Sequence, residues 1–404
     1  MKIGIILYPY GEKYTGGLGR AVFELTSALI LRDTENEYIV FVKGTPALIP
    51  TFPGANWKVE CLGRGHFWLE RLRRAPQADV YVFNTPVLPF FFRPKKSIVI
   101  ALDFVYLYPH TYFSQELLYT SSYIDTRILR QEDYIWKGKY GKNERKVGVG
   151  VYPPTKNIRE WFQKTVTRFI HGRSLKRADH IVAISNATKN DAMRFFQILE
   201  KKITVIYLGA NPICALPKQE VTVPEKFFLF VGVIKERKNV MNVVKAFHLF
   251  FAARRNFSLV LLGKGGGDYF EAIKRLVREK GIEKNVLFLP GDVNDRTLSF
   301  LYQNARALVY PSIVEGFGFP ILEAMSCGLP VITAPVSSLP EVAGDAAYYV
   351  DPYDAASIAR GMEELAGNDA LCKELVQKGY IQAKKFSWEK TAEQYLKLLK
   401  QLQA

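Results

Sequence analysis

Only four cysteines occur in the 404 residues, at 61, 214, 327 and 372, and neither disulfide nor metal-ligand spacing links them. A disulfide-stapled scaffold and a zinc ribbon are thereby excluded, and the thiols are expected to be reduced and mostly buried, as in a cytosolic protein. No apolar run approaches the roughly 20 residues that a membrane-spanning helix needs. The amino terminus, MKIGIILYPYG, has a single lysine, an apolar stretch closed by Pro9 and no small-residue cleavage site, which fits a first β-strand rather than a signal peptide. The chain also lacks repeats, low-complexity tracts and any Asp-x-Asp pair at a predicted strand end. Acidic residues are in deficit, 39 against 55 Lys and Arg.

That deficit is uneven. Residues 1–216 carry a net charge of +13 and the rest only +3, and the stretch from Lys137 to Arg177 alone carries +10. Such a balance points to a polyanionic partner, either nucleic acid or an anionic membrane surface. The length is enough for two or three domains, each with its own core.

Short apolar runs alternate with longer helical patterns, the rhythm of parallel sheets with crossover helices. In the first half, Lys2–Tyr8, Tyr38–Val42, Val80–Phe83, Ser97–Leu102, His180–Ile184 and Ile203–Tyr207 read as strands, and Gly19–Arg32 and Trp161–Ala178 as helices. The stretch 109–160, basic and aromatic without a clean period, reads as an insertion. Composition shifts to Pro, Gly and polar residues over Gly209–Pro224, and a second βα rhythm starts at Phe227. The predicted domains are therefore 1–212, 213–384 and a terminal helix over 385–404 that packs back on the first domain.

The most informative segment is PSIVEGFGFPILEAMSCGLPVIT, Pro311–Thr333. A strand ending at Tyr310 leads through Glu315, Gly316, Phe317 and Gly318 into a helix beginning near Phe319 and carrying Glu323. Glycines there admit close backbone approach, and the N–H groups at a helix start make an anion site. Two carboxylates beside it suit sugar hydroxyls better than phosphate. In GVIKERKNV, Lys235, Arg237 and Lys238 follow the second domain's first strand, where they could neutralise a diphosphate. The loop YTGGLGR, with Gly16 and Gly17, lacks the G-x-G-x-x-G spacing and by itself reads as a tight turn.

Together, VYPSIVEGFGFPILEAMSCGLPVI, ERKN, GGLGR, RADHIVAISNATKNDA and VSSLPEVAGDAAYYVDP resemble the family 4 retaining glycosyltransferases of GT-B fold, over nearly the whole chain. The resemblance implies two doubly wound Rossmann-like domains facing across a cleft, the first for acceptor and the second for a nucleotide-sugar donor. It implies that Arg237 and Lys238 bind the donor diphosphate and that Glu323 accepts the ribose hydroxyls. Glu315 and the backbone of Gly316, Phe317, Gly318 and Phe319 would hold the hexose and distal phosphate. Gly16 and Gly17 would approach from the other domain, and Gly263, Lys264 and Val293 would line the base pocket. Two departures stand out. Val233 and Ile234 occupy the place where many members carry an arginine, and Leu102-Asp103 replaces a frequent His-Asp, leaving Asp103 and His110 as acceptor-side candidates.

The expected activity is metal-independent, cofactor-free transfer of a mannose- or glucose-type hexose, from GDP-mannose or a UDP-hexose, to a glycan or lipid-linked hydroxyl in cell-envelope polysaccharide synthesis. The expected site is the cytoplasm or the inner face of the cell membrane. An epimerase on the same fold is one alternative, and a non-catalytic basic binding protein is another. The basic stretch carries no RNA- or DNA-module signature, which favours an anionic membrane over nucleic acid. The segments Arg64–Arg74, Pro86–Lys96 and Tyr123–Trp161 could lie on it, unless Phe90, Phe91 and Phe92 are core.

Overall fold

The apolar runs build two separate parallel sheets in a computed structural model that describes all residues except 11–15, 45–48, 64, 66, 109–133, 136–145, 148–157, 212, 216–220 and 404. In chain order the first part comprises β1 (Lys2–Ile6), α1 (Gly16–Arg32), β2 (Glu37–Val42), β3 (Trp57–Cys61), β4 (Val80–Phe83) and β5 (Ser97–Ala101). Then follow a two-residue antiparallel pair, β6 (Tyr134–Ile135) with β7 (Lys146–Val147), and α2 (Ile158–Arg177), β8 (His180–Ala183), α3 (Asn186–Phe196) and β9 (Ile203–Val205). The seven-stranded sheet runs β3-β2-β1-β4-β5-β8-β9. Every residue of β4 and β5 is buried, as expected where helices cover both faces of a parallel sheet.

Two elements here are absent from the sequence pattern. The strand β3, WKVEC, is a half-exposed edge pairing only with β2, so its composition is that of surface. The helix α3 is short and polar, and is started by Ser185, whose side chain accepts a hydrogen bond from Thr188 N.

The second part contains β10 (Phe227–Val231), α4 (Val240–Ala253), β11 (Ser258–Leu262), α5 (Gly267–Glu279), β12 (Val286–Leu289), α6 (Asp295–Asn304) and β13 (Ala307–Tyr310). It continues with α7 (Phe319–Ser326), β14 (Val331–Thr333), α8 (Leu339–Ala343), β15 (Tyr348–Tyr349), α9 (Ala355–Gly367), α10 (Asp369–Ala383) and α11 (Trp388–Gln403). Its six strands run β12-β11-β10-β13-β14-β15. The order reverses between β10 and β13, and such a switch point opens a crevice at the carboxyl ends of the strands.

The chain divides into two compact units, Met1–Phe104 with Arg159–Asn211 and Lys385–Ala404, and Val105–Ile158 with Pro212–Lys384. Val105 and Tyr108 pack on Ile313, Val314 and Tyr353 of the second unit, while most of 109–160, read as an insertion of the first domain, lies outside the described residues. Helix α11 belongs to the first unit and packs along α1. Arg32 meets Glu393 at 2.9 Å, Thr391 Oγ1 donates to the carbonyl of Tyr207 at 2.8 Å, and Tyr395 is fully buried.

One expectation is corrected. Cys214 and Cys327 form a disulfide, with Cα atoms 5.3 Å apart across 113 residues of sequence, while Cys61 is an exposed thiol and Cys372 a buried one. Spacing could not show this pair, because the single turn Ile213–Ala215 is brought against α7 only by tertiary packing. The argument for four reduced thiols therefore fails. In denaturant, a maleimide mass tag is expected to add two groups before reduction and four after it; four before reduction would show the pair to be open.

Candidate active site

The crevice of the second unit is built from the loops after β10 and β13. After β10 the chain makes a single turn, Glu236–Lys238, that presents Arg237 and Lys238. After β13 it runs through Glu315 to Gly318, which caps α7 with φ of 118°. That backbone conformation, with Leu339 pressed close, requires glycine at 318. The start of α7 consequently turns the positive end of its dipole to the crevice; within its first turn Pro320 has no N–H and Ile321 N donates to the Gly318 carbonyl at 3.0 Å.

The two loops meet at Glu315. Its side chain is 7% exposed. Oε2 accepts from Arg237 Nη1 at 2.7 Å, and Oε1 lies 2.5 Å from Lys238 Nζ and accepts from the Tyr310 hydroxyl at 2.9 Å. Lys238 also donates to the Tyr310 hydroxyl and lies over that ring. Burial alone would raise the carboxyl pKa, but the charges of Lys238 and Arg237 outweigh it and hold Glu315 at about 2. The phenol of Tyr310 is pushed well above its ordinary value by burial and by the Glu315 charge, so it stays a donor. Two cations against one carboxylate leave the cluster at +1, beside the positive end of α7.

Several residues that sequence reasoning passed over fix this arrangement. Asn239 adopts a left-handed conformation, φ 63°, and its side-chain amide donates to the carbonyls of Pro311 and Pro352, stapling the first loop to the second. Ile313 N bonds to the Arg237 carbonyl at 2.8 Å. Ser337 and Ser338 both donate to the Glu315 carbonyl, and Ser338 also to that of Phe317. An asparagine directly after a basic turn was the visible signal, since Asn tolerates the left-handed region better than most residues. The serines of VSSLPEVAG gave none beyond their hydrogen-bonding capacity.

Glu323 sits half-buried on α7 and accepts a hydrogen bond from the fully buried Tyr302 hydroxyl of α6 at 2.9 Å. Gly316 and Gly318 are buried, and Phe317 is a core side chain packed on Phe319, so this loop offers backbone and not aromatic faces to a ligand. At the end of β11, a Cβ on Gly263 would strike the Gly232 carbonyl, so glycine is what allows the loops to touch. There Ile234 N bonds to the Lys264 carbonyl at 3.0 Å, and Ile234 itself is buried, which leaves no basic group in its place. Lys264 is exposed and Val293 half-buried before α6. Gly16 and Gly17 open α1, and Asp103 lies exposed past the end of β5; these three belong to the first unit, while His110 lies outside the described residues. Among the described residues, no cluster of three His, Cys, Asp or Glu is placed to hold a metal ion.

The fold is GT-B, two Rossmann-like units each with a parallel sheet. Residues 216–382, within the second unit, match the family model for glycosyl transferases group 1. The O-antigen chain mannosyltransferase B of Escherichia coli is 34% identical over 239 residues, 57% of this chain and 62% of that one. The serotype-specific mannosyltransferase WbdA of Escherichia coli is 32% identical over 248 residues, 58% of this chain and 30% of its own length. The chain thus spans less than two thirds of these relatives. The structure of sucrose-phosphate synthase from Thermosynechococcus elongatus superposes with a TM-score of 0.67, over 100% of this chain and 99% of that one, at 18% identity, a likeness of fold alone.

Glu315→Gln would strand Lys238 without its counter-ion. It is expected to destabilise the second unit by about 3–5 kcal/mol at pH 7. Because the folded carboxyl titrates below its ordinary value, the stabilisation is full above about pH 4.3 and fades as pH falls toward 2. Urea denaturation at pH 7 and pH 3 should therefore show the mutant deficit shrinking in acid; an equal deficit at both would exclude the charge pairing as its cause.

Proposed function

We propose that the protein is a retaining, metal-independent hexosyltransferase that moves mannose from a nucleotide-diphosphate sugar to a hydroxyl of a glycan or lipid-linked acceptor, in cell-envelope polysaccharide synthesis. The observation that carries this is the Arg237–Glu315–Lys238 cluster at the β10/β13 switch point, beside the glycine-capped start of α7. Mannose is favoured because the Escherichia coli relatives are mannosyltransferases by name. GDP-mannose is the first donor to test and UDP-hexoses the second.

In this reaction the bond from the sugar C1 to the diphosphate oxygen breaks and a bond from C1 to the acceptor oxygen forms on the same face. The acceptor proton passes to the departing phosphate oxygen. No carboxylate nucleophile is needed, so stabilising the leaving diphosphate is the main lever. Arg237, Lys238 and the positive dipole end of α7 supply it, with Glu315 keeping both cations extended toward the ligand. Glu323, oriented by Tyr302, accepts the ribose hydroxyls. Gly263, Lys264 and Val293 flank the base, Gly16 and Gly17 serve the donor phosphate and the acceptor, and Asp103 and His110 serve on the acceptor side. No further cofactor is required. The basic first half suits work as a peripheral protein on an anionic membrane, at its cytoplasmic face, with no nucleic-acid partner.

Lys238→Ala is expected to lower turnover about 100-fold, the scale of one lost transition-state charge contact. Turnover within a few-fold of wild type would remove Lys238 from the diphosphate site. A panel of nucleotide sugars, scored by thermal stabilisation in the presence of EDTA, should single out one donor. Stabilisation that appears only when Mg²⁺ is restored would overturn the metal-free proposal.

A further inference from the structure

The three phenylalanines Phe90, Phe91 and Phe92 meet three different fates. Phe92 is buried in the first unit, and its ring packs edge-on against Tyr81. Phe90 lies under the guanidinium of Arg173, 4.4 Å from the ring centre. Phe91, between them, is 81% exposed.

This exposure is fixed by the fold and is not a fluctuating loop tip. The Glu70 carboxylate accepts hydrogen bonds from the backbone N–H groups of Phe90, Phe91 and Phe92 in succession. From the other side, Arg173 donates to the Phe90 carbonyl at 2.9 Å and Arg177 to the Pro89 carbonyl at 2.9 Å. Three N–H groups and two carbonyls of the turn are thus engaged by charged side chains from the short helical segment Trp68–Arg74 or from α2. The clamp has an electrostatic consequence. Glu70 is taken up by backbone amides, while burial and the neighbouring charges of Arg173 and Arg93 lower the Arg177 pKa. Three guanidinium groups against one carboxylate leave a surplus of +2 around a projecting aromatic ring.

We propose that this loop docks the protein on an anionic lipid bilayer, with Phe91 entering the interface and Arg93, Arg173 and Arg177 meeting lipid phosphates. Charge complementarity selects that occupant. A second copy of the same face would bring six arginines together and be repelled, whereas an anionic surface offers both phosphate acceptors and an apolar layer for the ring. Guanidinium groups suit phosphate because their planar forks bind it through two donors. The proposal gives a specific surface to the membrane contact named above and rests on that contact. It is independent of the donor site, which lies in the other unit.

Vesicle co-sedimentation tests it. The wild-type protein is expected to bind vesicles containing phosphatidylglycerol, to bind pure phosphatidylcholine vesicles at least tenfold more weakly, and to be released by high salt. Phe91→Ser should weaken binding to the anionic vesicles by about tenfold or more, and Arg93→Gln by about fivefold, with melting temperatures unchanged. Absence of wild-type binding, equal binding to neutral vesicles, or unaltered binding by both variants would overturn the proposal. A dimer in solution that Phe91→Ser converts to monomer would overturn it in favour of self-association. Calorimetric titration of nucleotide sugar without vesicles reads the transferase proposal separately, and Phe91→Ser should leave that affinity unchanged.

Discussion

A carboxylate buried between two cations organises the second unit. Glu315 could not remain ionised in its pocket without Lys238 and Arg237, and Lys238 could not be as buried as it is without Glu315. Each charge is thus the condition for the others, and the requirement fixes the two loops that carry them. Once the β10 and β13 loops are joined there, Ile313 bonds to the Arg237 carbonyl, Asn239 reaches Pro311 and Pro352, and the serine pair holds the backbone leading to Gly318. The direction of α7, and with it the aim of its dipole, follows from that seam. The cluster is consequently a positioned positive charge and not a mobile one, which is the state electrostatic catalysis requires.

Much of this architecture was legible because the signal was redundant. Buried parallel strands read as continuous apolar runs, and β1, β2, β4, β5, β8 and β9 fall within about two residues of the positions the sequence indicates. What escaped had a different physical origin in each case. The strand β3 looks like surface because most of it is surface, and α3 owes its start to one serine. The disulfide and the Glu315 cluster depend on residues far apart in sequence, so composition exposes the participants and conceals the partnership. The sequence suggested two carboxylates ready for sugar hydroxyls. In the structure Glu315 already holds three donors, and Glu323 accepts from the Tyr302 hydroxyl.

The charge asymmetry is sharpened in the same way. Part of the basic stretch falls outside the described residues, but α2 delivers Arg173 and Arg177 to a turn that Glu70 holds from below. Whether FFF was core or surface had no single answer: one ring is core, one is covered by an arginine, and one projects. Local sequence cannot distinguish among them, since all three share a composition and differ only in which neighbours the fold supplies.

Helix α11 follows the second unit in the chain yet completes the first. During synthesis the ribosome releases residues 1–211 long before 388–403 emerge, so the apolar face of α1 that will receive Tyr395 and Leu399 waits uncovered while the entire second unit is produced. The second unit, by contrast, has all its strands and α10 before α11 is reached. The order of completion therefore runs opposite to the order of translation: the second unit can consolidate first, and the amino-terminal one closes its core only once α11 has emerged.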